Sequence, residues 1–358
     1  PAMTVRLPHP HAGTIAEAGT TRLELLERGE TGLDASHLLL AGAHAAGAPF
    51  MLAACCGKLR LAGRAFHAAM ITHPEKVLFP DDGITKADLA GYYESIATVM
   101  VPHLRRRPVT MERYPAGIGN KGFWQKDVSK GFPEWLERVE VPKKDGTVRY
   151  PLITDARTLL WMANQNTITP HVWVSRVPNL FYPDVCVFDL DAAHEDDPDA
   201  LRAAALGLRA LLNELGLPSW VKTSGSKGFH IVLSLDGTSD TAAVARFAHA
   251  VGTVLVKRDP ERLTQEFSKA DRKGRILVDT GRNGYGATFA AAYAVRARPG
   301  APVSAPCTWE EIERGTAGPR TFTLPAMAAR VETVGDLWSD MNRRSHGLDD
   351  AIETLRTI

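Results

Sequence analysis

The sequence predicts a mixed α/β fold in which helices pack around a central, largely antiparallel sheet. Two observations support this prediction. Short apolar runs rich in strand-favouring residues recur at 185–191, 220–223, 229–235 and 276–278. Longer stretches with apolar residues at helical spacing lie at 86–101, 154–166, 199–215 and 241–258.

The composition is that of an ordinary globular protein. The formal net charge of the 358 residues is +1, so any nucleic-acid-binding role must depend on local basic patches. No apolar run of about 18 residues predicts a membrane span, and the early residues do not resemble a signal peptide. The four cysteines form no C-x-x-C pair, which argues against a zinc site and a disulfide framework and favours a reduced, cytoplasmic setting.

The first 68 residues contain no chemical motif. Short helical patterns at 21–28 and 34–46 are visible, and Pro1-Ala2 is expected to be an addition before the natural start at Met3. Cys55 and Cys56 are expected to be small core residues. The irregular spacing of the histidines is typical of a protein surface rather than a metal site; they are His9, His11, His37, His44 and His67.

A pair of aspartates ends the apolar run at 185–191. Because side chains alternate along a strand, Asp189 and Asp191 are predicted to point to the same side while Leu190 points into the core. Two carboxylates this close repel one another unless a cation lies between them, and oxygen ligands suit Mg²⁺ or Mn²⁺. The alternative, a strand-end turn with two solvated aspartates, stays open at this point.

A second aspartate, Asp279, ends the later apolar strand at 276–278. Between the two strands lies the small-residue turn 224–228, which carries Ser224 and Lys227 and leads into a strand with His230 on its polar side. Such a turn exposes backbone N–H groups to an anion. It is not a Walker A loop, because the spacing is too short, and an ordinary hairpin turn would explain its glycines.

Two further segments suit a polynucleotide. Lys76 and Lys86 flank a turn at the start of a helix with Thr85 as its N-cap, where a phosphate could bind, although two solvated lysines would explain them equally. Phe123 and Trp124 lie among lysines, and one of these adjacent rings is expected to face outward, as a base-stacking surface requires.

Together these features indicate nucleotidyl transfer to a 3′-hydroxyl. Asp189, Asp191 and Asp279 could bind two divalent ions that activate the hydroxyl and stabilise the leaving pyrophosphate. Donors for a triphosphate follow in Ser224, Lys227, His230 and Arg296.

In this arrangement the chain resembles the archaeo-eukaryotic primase superfamily, and in particular the polymerase domain of bacterial end-joining ligase D and stand-alone actinobacterial primase-polymerases of the type associated with ligase C. The resemblance covers about residues 70–345 and depends on the segments 188–191, 223–230 and 278–279.

The resemblance implies a role for each matching residue. Asp189, Asp191 and Asp279 are implied to be the catalytic carboxylates that bind metal. Five residues are implied to contact the nucleotide: His171, Ser224, Lys227, His230 and Arg296. Five are implied to contact DNA, the lysines at a 5′-phosphate, the aromatic pair at that end and the arginine near the primer: Lys76, Lys86, Phe123, Trp124 and Arg272.

The resemblance also implies cofactors, partners and a division of the chain. It implies two Mn²⁺ or Mg²⁺ ions, NTP and dNTP substrates with ribonucleotides favoured, and gapped or broken DNA with a 5′-phosphate. An ATP-dependent DNA ligase and Ku would act in trans, because ligase and nuclease modules are not found in the sequence. The expected division is an N-terminal extension at 1–68, a catalytic domain at 69–345 and a helical tail at 346–358.

Two other functions remain open from the residues. A haloacid dehalogenase-like phosphohydrolase also has Asp-x-Asp after an apolar strand, but it requires Thr or Val shortly after the second aspartate, where Ala192-Ala193 stands. A non-catalytic module that binds DNA ends is the other possibility, and the three retained aspartates argue against it.

Overall fold

A computed structural model describes residues 71–192 and 197–358. The helical patterns at 21–28 and 34–46, the N-terminal histidines and the pair Cys55-Cys56 lie outside the described residues, as does most of the acidic loop at 194–197. The domain boundaries expected at 68/69 and 345/346 stay predictions.

The strands of the described residues are short. In chain order they are β1 (Val77–Phe79), β2 (Ile84–Thr85), β3 (Val109–Arg113), β4 (Phe123–Gln125), β5 (Arg138–Lys143), β6 (Gly146–Pro151), β7 (Thr167–Trp173), β8 (Val185–Asp191), β9 (Ser219–Thr223), β10 (Gly228–Ser234), β11 (Leu263–Thr264), β12 (Ile276–Asp279), β13 (Thr288–Ala290), β14 (Ala294–Val295), β15 (Val303–Ser304) and β16 (Pro306–Cys307).

Helices connect these strands. In chain order they are α1 (Lys86–Leu104), α2 (Ala156–Asn164), α3 (Pro198–Glu214), α4 (Thr241–Arg258), α5 (Lys269–Arg272), α6 (Trp309–Glu313), α7 (Leu324–Val334) and α8 (Asp349–Leu355), with 3₁₀ turns at Gly281–Asn283 and Met341–Arg343. The predicted N-cap of α1 is confirmed, because the Thr85 side chain accepts from Asp88 N and the Asp88 carboxylate accepts from Thr85 N. None of the described helices is both long and apolar enough to cross a membrane.

The six-stranded sheet contains the central strand of the molecule. Its order is β11-β12-β8-β10-β9-β16, and β8 pairs antiparallel with both β12 and β10. Only the β11–β12 pair of this sheet is parallel, so the predicted largely antiparallel arrangement is confirmed. A second sheet, ordered β13-β7-β3-β4, is antiparallel throughout.

Strand β8 separates two hydrophobic cores. Cys186, Phe188 and Leu190 are fully buried in the core that α3 and α4 cover. Val185 and Val187 point to the other side, into the core shared with α1 and the four-stranded sheet. This alternation is what a strand period of two requires, and it leaves Asp189 and Asp191 on the side that faces the four-stranded sheet. Phe289 of that sheet confirms the proximity, because its ring centroid lies 6.1 Å from that of His230.

Two local predictions were wrong. Phe123 and Trp124 both project from the surface, with 45% and 57% of their area exposed, because β4 is the edge strand of its sheet and neither face of it is covered by the core. The apolar run at 290–295 is not one extended segment. It breaks between β13 and β14, where Tyr293 adopts a positive φ of 66°.

Candidate active site

Three aspartates meet on one face of the six-stranded sheet. In the register of the β12–β8 pair, Asp279 lies directly opposite Asp189, and Leu277 lies opposite Asp191. Opposed residues of an antiparallel pair share a face, as do residues two apart on one strand. All three carboxylates therefore project from the same side, although Asp279 is far from the other two in sequence.

The charges of this cluster are partly compensated by Arg282. Its Nε lies 3.4 Å from Asp189 Oδ2 and its Nη2 lies 3.4 Å from Asp279 Oδ2, while 41% of its side chain is exposed. Burial and the charge of Asp189 raise the pKa of Asp191 to about 6. Burial also opposes ionisation of Asp189, but His230, Arg282 and Lys222 outweigh it and hold the pKa of Asp189 below its usual range.

The carboxylates suit a divalent cation chemically. No group of three or more His, Cys, Asp or Glu side chains in the described part of the chain is already arranged as a metal site, and Arg282 lies where positive charge is needed. Asp189 Oδ1 is nevertheless buried without a hydrogen-bond partner, a costly state for a carboxylate oxygen. A cation bound between Asp189 and Asp191 would satisfy this atom and relieve the repulsion, and Arg282 is exposed enough to withdraw.

The turn between β9 and β10 is closed by Ser224. Its Oγ accepts from Ser226 N at 3.1 Å and from Gly228 N at 3.0 Å. A Cβ on Gly228 would lie 1.5 Å from Leu190 O, so the close approach of β10 to β8 requires glycine here. The hairpin turn that the sequence left open is therefore present, with Lys227 at its end, half-buried.

Arg296 connects this turn to the carboxylates. Its Nη1 donates to Ser224 O at 2.6 Å, and its Nε is buried without a partner. Its guanidinium interacts with Glu112 on one side and with Asp189 and Asp191 on the other, while burial is the largest influence on its pKa and lowers it. Of the predicted nucleotide contacts, Ser224 and Arg296 are thus in contact with each other.

His230 lies opposite Asp189 in the β10–β8 ladder. Its Nε2 is 3.3 Å from Asp189 Oδ1, and its Nδ1 is 2.6 Å from Nζ of Lys222. Lys222 is fully buried and also donates to Ser304 Oγ. Burial and then Lys222 lower the pKa of His230 to about 4, and burial lowers the pKa of Lys222 well below its usual value.

His171 belongs to the facing sheet, on β7. Its Nε2 lies 3.7 Å from Oε2 of Glu112 on β3, and its ring packs edge-on against Trp124 with centroids 4.7 Å apart. Burial lowers the pKa of His171 to about 4, so that the ring is neutral at neutral pH, and the charge of Arg282 also acts on it. His171 and Trp124 therefore border the cleft that contains the aspartates.

Arg272 is buried, and its position is fixed by backbone. Its Nε donates to Glu266 O at 3.1 Å and its Nη2 to Phe267 O at 2.9 Å. Its charge also lowers the pKa of Asp191, although burial dominates there and raises it. The structure thus brings Arg272 close to the carboxylates, as the sequence predicted.

Lys86 is not placed as the sequence suggested. It is 3% exposed, and its Nζ donates to Thr72 O, Asn164 O and Asn164 Oδ1 at 2.7, 3.1 and 3.3 Å. All three hydrogens of the ammonium group are therefore used within the protein, because α1 begins beside the end of α2. Lys76 is half-buried nearby, and its charge together with burial lowers the pKa of Lys86.

Sequence reasoning missed three residues of this site: Glu112, Lys222 and Arg282. Lys222 offered a signal, because a lysine in the middle of a strand with Trp220 and Val221 must be buried or reach a polar site. Arg282 follows Asp279 by one turn, which is weak information without the fold. Glu112 gave no signal, since its strand also carries the polar residues Thr110 and Arg113.

Comparison with known proteins supports this picture. A sequence model of the LigD primase-polymerase domain matches residues 85–338. The multifunctional non-homologous end joining protein LigD of Mycolicibacterium smegmatis is 33% identical over 297 residues, which cover 82% of this chain and 38% of that protein. LigD of Pseudomonas aeruginosa is 34% identical over 277 residues, covering 75% and 32%. The chain thus spans less than two fifths of these relatives.

A solved structure agrees with the sequence comparison. The polymerase domain of Mycobacterium tuberculosis ligase D, solved in complex with DNA, superposes with a TM-score of 0.73 at 32% identity, covering 77% of this chain and 98% of that domain. The fold and the carboxylate cleft define a nucleotidyltransferase of the primase-polymerase class. The chain belongs to the LigD primase-polymerase domain family. The phosphohydrolase alternative is wrong, since the matched domain includes both the aspartates and the turn at 224–228.

Proposed function

We propose that this protein extends DNA 3′-ends with nucleotides, favouring ribonucleotides, and fills gaps and processes ends on 5′-phosphorylated DNA during break repair. The observation that carries the proposal is the register that places Asp189, Asp191 and Asp279 on one face, facing buried polar atoms that lack partners. Those atoms are Glu112 Oε2, His171 Nε2, Asp189 Oδ1 and Arg296 Nε. Buried polar groups are normally paired, so this group supports a site shaped for a polar ligand.

The three aspartates would hold two divalent ions, Mn²⁺ or Mg²⁺. Such ions supply a lowered pKa for the attacking 3′-hydroxyl and a counter-charge for the leaving pyrophosphate. Asp189 and Asp191 ionise in different ranges, since the pKa of Asp191 is about 6. At neutral pH both carboxylates are therefore available as ligands.

The protein's own groups would bind and orient the nucleotide. Arg296 and Lys227 bring positive charge to the triphosphate, and Arg296 is fixed in place by its bond to Ser224 O. His230 orients Asp189 from the neighbouring strand. His171 lies on the opposite wall of the cleft, where the sugar or base would lie, and Arg272 lies near Asp191 on the primer side.

A second surface would receive the downstream DNA end. Phe123 and Trp124 are exposed on the edge strand β4, and Arg113 lies over the Phe123 ring at 5.2 Å. Exposed rings beside cations suit stacking on nucleic acid. Lys76 is the proposed contact for the 5′-phosphate, whereas Lys86 supports the local fold through its carbonyl contacts.

Partners follow from the same proposal. DNA relatives of this domain act within longer proteins named for end joining, so we propose that an ATP-dependent DNA ligase and Ku cooperate with this domain, in the cytoplasm at the nucleoid.

Primer extension on a gapped duplex with Mn²⁺ tests the proposal. Addition of nucleotides to the 3′-end, stimulated by a 5′-phosphate across the gap, is the expected result. Duplex binding without turnover would instead support a non-catalytic module that binds DNA ends and would contradict the proposal.

A further inference from the structure

Glu112 and His171 form a polar pair that the interactions described so far do not use. They lie on the neighbouring strands β3 and β7, where Glu112 is paired with Thr169 and Thr110 with His171. Glu112 Oε1 accepts from the Tyr114 hydroxyl at 3.1 Å. The other oxygen, Oε2, is buried without a hydrogen-bond partner, and so are His171 Nε2 and Thr169 Oγ1.

The separation of this pair is informative. The 3.7 Å between Glu112 Oε2 and His171 Nε2 is too long for a hydrogen bond. Beside a carboxylate, the Nε2 atom of a neutral histidine carries the hydrogen, because two acceptors facing each other would repel. The site therefore presents one N–H donor and one carboxylate acceptor, both available to a third group.

A hydroxyl is the group that satisfies both. It can accept from His171 Nε2–H and donate its own hydrogen to Glu112 Oε2 at once. A phosphate oxygen only accepts and would be repelled by Glu112, and an ammonium group only donates and cannot satisfy His171. Among the parts of a nucleotide, this chemistry selects the sugar.

The position of the pair fits that assignment. Arg296 interacts with Glu112 on one side and with Asp189 and Asp191 on the other, so a triphosphate beside the aspartates and Arg296 leaves the sugar toward Glu112. Trp124 packs against the His171 ring and encloses the same corner.

We propose that Glu112 and His171 together bind the 2′-hydroxyl of the incoming nucleotide and thereby select ribonucleotides. The inference rests on the proposed nucleotidyl transfer, and the 2′-hydroxyl is chosen because it alone distinguishes the two classes of sugar. A site that hydrogen-bonds a substrate hydroxyl rejects the analogue without it, since its own buried groups are then left unpaired.

The test compares sugar selectivity in Glu112→Gln with the wild type. We measure kcat/KM for each NTP and its dNTP in gap filling, with Glu140→Gln on the exposed side of β5 as the matched control. The NTP/dNTP ratio is expected to fall by about 10- to 100-fold in Glu112→Gln, since a hydrogen bond to a charged group is lost. In Glu140→Gln the ratio is expected to stay unchanged. Glu112→Ala provides a second variant, and circular dichroism checks that each one folds.

A binding measurement separates this inference from the proposed function. Calorimetric titration with α,β-methylene ATP and its 2′-deoxy and 3′-deoxy forms needs no turnover. Weaker binding of the 2′-deoxy form to the wild type, with the difference lost in Glu112→Gln, supports the inference even if extension fails. Equal affinities of the wild type for all three analogues, a penalty confined to the 3′-deoxy form, or unchanged selectivity in both folded Glu112 variants would overturn it.

Discussion

The two walls of the cleft differ in how their polar groups are satisfied. On the carboxylate wall, formed by β8, β10 and β12, the aspartates are surrounded by Arg282, His230 and Lys222. On the sugar wall, formed by β3 and β7, Glu112, Thr169 and His171 each keep a buried atom without a partner. The first wall is thus prepared for charge and the second for hydrogen bonds to neutral groups, which is the division a nucleoside triphosphate requires.

Removing one charge from the carboxylate wall tests its half of the comparison with the largest effect. Asp189→Asn is expected to reduce primer extension by roughly a thousandfold or more, because the stabilisation by metal that it removes amounts to several kcal/mol. DNA binding, measured by fluorescence anisotropy, should stay close to that of the wild type. Extension at more than a tenth of the wild-type rate would show that Asp189 is not a metal ligand.

The next effect in size concerns the support behind that wall. Lys222→Met removes the donor to His230 and Ser304 while keeping a long side chain. We expect a loss of about 10- to 100-fold in kcat/KM, as for other residues that orient a ligand-bearing histidine, together with partial recovery in Lys222→Arg. Steady-state kinetics with purified, folded variants measures it, and equal activity of Lys222→Met and wild type would contradict it.

A pH comparison sharpens the electrostatics of the carboxylate wall. The pKa of Asp191 is about 6 in the folded protein and about 3.9 in an unfolded chain. Because the folded-state pKa is raised, the associated stability is present below about pH 4 and is lost as the pH rises through 6.

Asp191→Asn should therefore be more stable than the wild type at pH 7.5, by about 1–3 kcal/mol in the free energy of unfolding, and the gain should vanish near pH 4. Urea unfolding at both pH values, without divalent ions, measures the difference. A variant less stable than the wild type at pH 7.5 would mean that Arg282 already compensates the charge.

The smallest effect concerns the DNA-end surface, outside both walls. Lys76→Ala is expected to reduce the preference for a 5′-phosphorylated gap several-fold, since a partly exposed lysine contributes a modest, salt-dependent attraction. Lys86→Met should instead lower the melting temperature, because it leaves the carbonyls of Thr72 and Asn164 without their donor. Extension on gaps with and without the phosphate, plus thermal melts, distinguishes the two. An unchanged preference in Lys76→Ala would refute its phosphate role.

Local sequence was sufficient where the pattern was strong. The alternation in 185–191 and the helical spacing in 241–258 reappear in β8 and α4, and the helix that Thr85 caps begins where expected. Lys86 shows the limit of such reasoning. A lysine at the start of a helix is usually solvated, and only the approach of α2 to α1 turned its ammonium group inward.

By itself, the sequence determined that two aspartates share one face of a strand and that a glycine-rich turn with Ser224 and Lys227 follows, since period and turn chemistry are local properties. Only the tertiary structure decided that Asp279 lies opposite Asp189, that Arg282 compensates both, and that Glu112 faces His171. These contacts join residues that are distant in the chain. Their geometry depends on strand register and on the packing of two sheets, which no local pattern encodes.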